Sequence, residues 1–126
     1  MQFPTDLFYT KDHLWVRFEG NIATIGVTAY FADEHSVMSI EPSSVGYLEV
    51  GTKFVDFIDI GGAAFEFPSP VAGEITEYND DGFSRLIGQW IEDPYGDDWF
   101  IKVTLKNPAS RAGLLTAAQY RAQIGK

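Results

Sequence analysis

Along this chain apolar and polar positions alternate over short stretches separated by turn-forming residues, the pattern of a mainly β protein. Leu14 to Val27 predicts a hairpin, with Trp15-Val16-Arg17-Phe18 and Ile22-Ala23-Thr24-Ile25-Gly26-Val27 flanking Glu19-Gly20-Asn21. Val37 to Ile40, Tyr47 to Val50, Phe54 to Ile60, Ala64 to Phe67, Val71 to Tyr78 and Trp99 to Leu105 predict further strands. Pro42-Ser43-Ser44, Gly51 and Gly61-Gly62 punctuate them. Short strands at this density, with no βαβ spacing, predict a sandwich or barrel-like pair of sheets.

Helical signals are fewer. Thr28 is a suitable N-cap for a short helix running to His35. Asp80-Asp81-Gly82 predicts a turn, Phe83 to Trp90 one helical turn or irregular chain, and Ile91 to Asp98 a loop. Asn107-Pro108 resembles a helix start, and the Ala-, Leu-, Gln- and Arg-rich tail from Ala109 to Gln123 predicts two short helices divided near Gly113 and Thr116.

Composition narrows the class. With 126 residues, 45% of them hydrophobic, the chain can bury one sizeable core, so residues 1–126 are expected to form a single domain. No run approaches the roughly 18 apolar residues of a membrane span, and a soluble, cytoplasmic monomer is the expectation. The absence of cysteine excludes disulfides, thiolate metal sites and a thiol nucleophile. A net charge of -9 opposes binding to nucleic acid or an anionic membrane and favours protein partners with basic patches.

Few residues suggest chemistry. His13 and His35 are the only histidines, and neither stands at metal-ligand spacing from other donors, so no metal is expected. His13 is expected to hydrogen-bond a neighbouring loop. His35, at a helix end before a strand, is placed to pack there or to line a cleft. Ser36 and Ser39 lie near it without a nucleophile elbow, so no catalytic residue is assigned. Gly61-Gly62 lacks the surroundings of a phosphate loop and reads as a tight two-residue turn with positive φ at one or both positions. Asp93-Pro94-Tyr95-Gly96-Asp97-Asp98-Trp99 reads as an acidic loop whose aromatics pack onto the body.

Taken in order, several segments give a more specific reading. Tyr9-Thr10-Lys11-Asp12-His13-Leu14-Trp15-Val16, then Glu19-Gly20-Asn21-Ile22-Ala23-Thr24-Ile25-Gly26-Val27-Thr28, Ser69-Pro70-Val71-Ala72-Gly73-Glu74-Ile75, Glu92-Asp93-Pro94-Tyr95-Gly96 and Trp99-Phe100-Ile101-Lys102-Val103 together resemble the H protein of the glycine cleavage system over nearly the whole chain. The resemblance implies a barrel-sandwich hybrid of the lipoyl and biotinyl kind, two small sheets with short helices. It also implies a non-catalytic protein whose hairpin-tip lysine carries lipoate among partner enzymes.

This chain departs from that pattern at the decisive position. With Ser69-Pro70 as anchor, Ala63-Ala64 matches the pair after the carrier lysine, Asp59 the acid before it, and Gly62 the lysine itself. Ala29 replaces an acidic residue after the helix-starting threonine, and the stretch around His35-Ser36 is shorter than usual. Glu66 keeps an acid near the hairpin, and His35 is placed as the cleft histidine. The resemblance thus implies a cleft around His35, Asp59, Gly61, Gly62 and Glu66, with no cofactor expected unless the register is shifted, in which case lipoate. Three functions stay open: a non-lipoylated binding or scaffold protein meeting glycine-cleavage or lipoate-handling enzymes, a working lipoyl carrier, and a small-ligand binder or enzyme reusing the cleft.

Overall fold

The structure is a computed structural model that describes all of residues 1–126. Nine strands appear in chain order: β1 (Phe8–Tyr9), β2 (Leu14–Glu19), β3 (Ile22–Val27), β4 (Val37–Pro42), β5 (Tyr47–Leu48), β6 (Lys53–Asp59), β7 (Ala64–Pro68), β8 (Gly73–Tyr78) and β9 (Ile101–Leu105). Three helices interrupt them: α1 (Ala29–Glu34), α2 (Asp80–Leu86) and α3 (Ala117–Gln123). Strands β1-β2-β3-β9-β8-β5 form one antiparallel sheet, and β4-β6-β7 form a second of three strands. This is the expected barrel-sandwich arrangement of two small sheets with short helices.

Alternation explains which faces meet. In β9 Ile101, Val103 and Leu105 are buried while Lys102 and Thr104 are not, and in β6 Val55 and Phe57 point inward. They join a main core of 22 buried residues that includes Leu14, Val16, Ile25, Phe31, Phe67 and Phe100. A satellite cluster of Leu7, Tyr9, Trp15, Ala117 and Tyr120 lies beneath α3 and β1. The Trp15 indole occupies the space over Gly26, its partner across the β2–β3 hairpin; a Cβ there would stand 2.8 Å from the ring.

Capping chemistry fixes the helices. Thr28 caps α1 by accepting from the Phe31 N–H, as expected, and His35 ends it in an extended conformation. Asp80-Asp81-Gly82 is not a turn but the first turn of α2. Asn79 accepts from the Gly82 N–H, the two acids sit at the positive end of the helix dipole, and burial of Phe83 and Leu86 favours the continuous helix. In the tail only one of the two expected helices forms. Thr116 and Gln119 make a reciprocal capping box for α3, whereas Leu115 exchanges backbone hydrogen bonds with Tyr9 and holds the preceding chain extended. The Arg111 guanidinium lies 3.5 Å from the Phe18 ring centroid and donates to the Pro108 carbonyl, which fixes the 108–111 stretch as turns.

His13 does not serve a loop. It adopts a left-handed backbone, φ 71°, and its Nδ1 lies 2.8 Å from the phenol oxygen of Tyr120 in α3; that oxygen is in turn 2.8 Å from Oγ1 of Thr28. Burial holds the His13 imidazole below its ordinary value of 6.5 and pushes the Tyr120 phenol up to about 12. The acidic loop expected to pack onto the body does so: Trp15 donates to the Pro94 carbonyl, Arg17 to the Tyr95 carbonyl, and Ala29 N–H to the Tyr95 phenol.

Two outcomes follow for stability. Gly26→Ala overpacks the Trp15 site and should cost about 1–3 kcal/mol, seen as a lower denaturation midpoint with an unchanged m-value. Because His13 titrates lower when folded than when unfolded, the unfolded chain takes up its proton first. Stability should therefore fall as pH drops below 6.5 towards the folded value, and His13→Gln should flatten that part of the melting profile relative to the parent.

Candidate functional site at the hairpin tip

Strands β6 and β7 run antiparallel and in register from Ile58↔Ala64 down to Val55↔Phe67, and they present their connecting loop at one end of the molecule. The loop has three residues rather than two. The Asp59 N–H donates to the Ala63 carbonyl and the Gly62 N–H to the Asp59 carbonyl, enclosing Ile60, Gly61 and Gly62. Only Gly62 has positive φ, at 93°, so the tip is a tight turn followed by a left-handed glycine that re-aligns the chain for β7. The Ala63 N–H, which this geometry turns away from the Asp59 carbonyl, is taken by Oδ1 of Asp59 at 3.0 Å.

The other carboxylate oxygen, Oδ2, lies 2.7 Å from Nδ1 of His35. His35 reaches it because it ends α1 one position before the bridge to Trp90 and two before Val37, the β4 residue that pairs with Asp59. Its ring rests on Phe31, one helical turn back, at 4.4 Å between centroids, and meets Phe65 of β7 edge-on at 4.8 Å. The hydrogen bond from His35, followed by that from Ala63, holds the Asp59 carboxyl below its ordinary value of 3.8. Ser36 pairs through its backbone with Trp90 and Ser39 with Ile58, and the side-chain hydrogen bond of His35 goes to Asp59 rather than to a serine hydroxyl.

Of the residues read from the sequence as one cleft, His35, Asp59, Gly61 and Gly62 meet at the tip. Glu66 stands apart. It lines a neighbouring cleft of about 310 Å³ whose wall includes Lys11, Asp12, His13, Phe31 and Phe65. Phe31 and Phe65 therefore touch both places. Sequence reading missed Lys11 and Asp12 as cleft residues, since only the fold brings the segment before β2 alongside β7. On the solvent face of the small sheet Glu66 is opposite Asp56, and Asp56 opposite Glu41, so three carboxylates stand in a row across three strands. Neither of the chain's two ion pairs involves them.

The tip carries no amine. Lys53 starts β6 opposite Pro68, at the foot of the hairpin, and the next lysine in the chain is Lys102 in β9. A Cβ at Gly62 would meet nothing within 4 Å, so the place has room for a side chain and holds none. As they stand, the tip residues do not fit amide attachment of lipoate. No group of three or more His, Cys, Asp or Glu residues is arranged to hold a metal ion, and no helix is long and apolar enough to cross a membrane.

Two small sheets with a projecting hairpin define a lipoyl-carrier type of domain. Comparison with known proteins makes the class specific: the family model of the glycine cleavage H-protein matches residues 7–126. A glycine cleavage system H protein from Laribacter hongkongensis is 38% identical over 125 residues, covering 97% of each chain. One from Chlorobium limicola is 34% identical over 130 residues, covering both chains completely. The crystal structure of an H protein from Mycobacterium marinum shares the fold, with a TM-score of 0.81 at 23% identity over 98% of this chain and all of that one. The chain belongs to the glycine cleavage H-protein family. Members of this family are carriers that work with the glycine cleavage enzymes, not catalysts, and the chain is accordingly not an enzyme.

The His35–Asp59 pair gives a direct measurement. The carboxyl of Asp59 should titrate with a midpoint below 3.8 by NMR and return towards that value in His35→Ala. Because the folded value is depressed, the contribution of Asp59 to holding the loop is present above 3.8 and is lost as pH falls through the depressed midpoint. Over that range the Ala63 amide should lose protection relative to its intrinsic exchange rate at each pH.

Proposed function

We propose that this chain is an H-family protein that does not carry lipoate at its hairpin and works as a binding or scaffold partner. The observation carrying this reading is Gly62. By the order of flanking motifs it occupies the position of the carrier lysine, and the whole loop from Ile60 to Ala63 contains no amine. Attachment needs a primary amine on a long flexible stem, which lysine supplies and glycine does not. The site on this reading consists of His35, Asp59, Gly61 and Gly62, with Glu66 flanking in the adjoining cleft. Residues 1–126 act as one unit, as a cytoplasmic monomer whose partners are proteins, among them glycine-cleavage or lipoate-handling enzymes.

A second reading is favoured by the full-length match to relatives named glycine cleavage system H proteins: a working lipoyl carrier that shuttles an aminomethyl group, modified at another lysine. Lys53 is then the residue to examine, since it belongs to the same hairpin, although it stands at the opposite end from the loop.

Incubation with a lipoate-attaching enzyme, followed by intact-mass measurement, separates the two readings. The parent chain should show no lipoyl increment. An increment that disappears in Lys53→Arg would establish the carrier reading and sink the scaffold one. Gly62→Lys should gain the increment, because the hairpin geometry is retained and the Cβ has open space. The left-handed backbone at this position should make that variant less stable by about 1 kcal/mol.

A further inference from the structure

Three tryptophans occur in the chain, and two have partners. Trp15 is buried and donates to the Pro94 carbonyl, and Lys102 lies over the Trp99 ring at 5.0 Å. Trp90 has neither kind of contact and is 54% exposed. Its position is nevertheless fixed by backbone: Ser36 bridges to Trp90, the Val37 N–H donates to the Gln89 carbonyl at 2.8 Å, and the Gly88 N–H to the Val37 carbonyl at 2.7 Å. The 88–90 segment thus lies as an added strand along the edge of β4. Ile87 and Met38, also more than half exposed, flank it.

Trp90 forms one wall of a cleft of about 660 Å³ between α1 and the 90–94 segment, which Ala29, Ala32, Pro94, Asp33 and Glu92 also line. Met1, with its α-amino group, also lines it; the floor is apolar, and the two charged side chains in the lining are carboxylates. Arg85, which shares a neighbouring cleft with Trp90 and Glu92, is held by the buried carboxylate of Asp98 at 2.8 Å. A rigidly seated, unpartnered tryptophan beside an apolar floor has the character of an interface anchor.

We propose that this cleft docks a protein segment that presents a large apolar side chain flanked by lysine or arginine. Charge selects this occupant. A second copy would bring another Asp33, another Glu92 and another net charge of -9 against the first, whereas a basic segment is attracted by all of them. The proposal deepens the reading of the chain as a binding partner by naming where the partner sits and what it carries.

The test pans a random peptide library on the immobilised full chain and measures the enriched peptides by titration against variants. Enriched sequences should pair Leu, Phe, Met or Trp with Lys or Arg. Trp90→Ala should weaken their binding roughly tenfold. The exposed pair Asp33→Asn with Glu92→Gln should weaken it several-fold and reduce its dependence on salt. Both variants should melt with the parent, and if Trp90→Ala fails to fold, the charge pair decides. The proposal is overturned by no enrichment, by enriched peptides without cations, by equal binding to either folded variant, or by self-association of the chain that Trp90→Ala abolishes. A lipoyl increment on the parent chain would remove the scaffold reading and leave this docking site standing; loss of peptide binding alone does the reverse.

Discussion

The two sheets share no backbone ladder, so the position of the hairpin depends on aromatic packing across the gap between them. Phe31, on α1, is the keystone: its ring meets Phe57, Phe65 and Phe67 edge-on at centroid distances of 5.1, 5.1 and 5.2 Å and also supports His35. Phe67 then passes the contact to Phe100, next to β9 in the larger sheet. Edge-to-face rings fix orientation as well as distance, which a cluster of aliphatic side chains would do less well. The aim of the tip depends on this anchoring, because β4 pairs with the hairpin only within the small sheet, and packing holds that sheet on the larger one.

With the hairpin fixed, its loop projects as a tight turn with no amine among its residues. Asp59 is central to that geometry. One carboxylate oxygen secures the loop from within, through the Ala63 N–H, and the other ties it to the end of α1 through His35. An acid there has structural work whether or not a carrier arm follows it. The order of the tip thus rests on Asp59 and needs no side chain at Gly62.

How much could be read from the sequence depended on how local each cause was. Thr28 capping α1 and the β2–β3 hairpin were legible because donor, acceptor and apolar partner all lie within a few residues. The whole-chain resemblance supplied the fold and the family. Asp80-Asp81-Gly82 misled because its residues favour turns, while burial of Phe83 and Leu86 decides for helix. Strand β1 has two residues and exists only through Val16, Trp15 and Leu115. The tail was expected to be more helical than it is, since pairing of Leu115 with Tyr9 is invisible in local propensity. His35 finds Asp59 across 24 positions, and His13 finds Tyr120 across 107, so neither pairing could be taken from spacing. For the same reason Glu66, close to the tip in sequence, was grouped with residues that it does not join.

The row of Glu41, Asp56 and Glu66 has a consequence beyond the site. Like charges directly opposite one another weaken the sheet that bears them, and neither of the chain's two ion pairs includes any of the three. The same row runs to β7, an outer strand of this sheet, and such edges are the places where β proteins are prone to recruit their own kind. Two molecules approaching face to face or edge to edge must bring these rows together. The small sheet thus gives up some internal cohesion for a face that repels a second copy of itself.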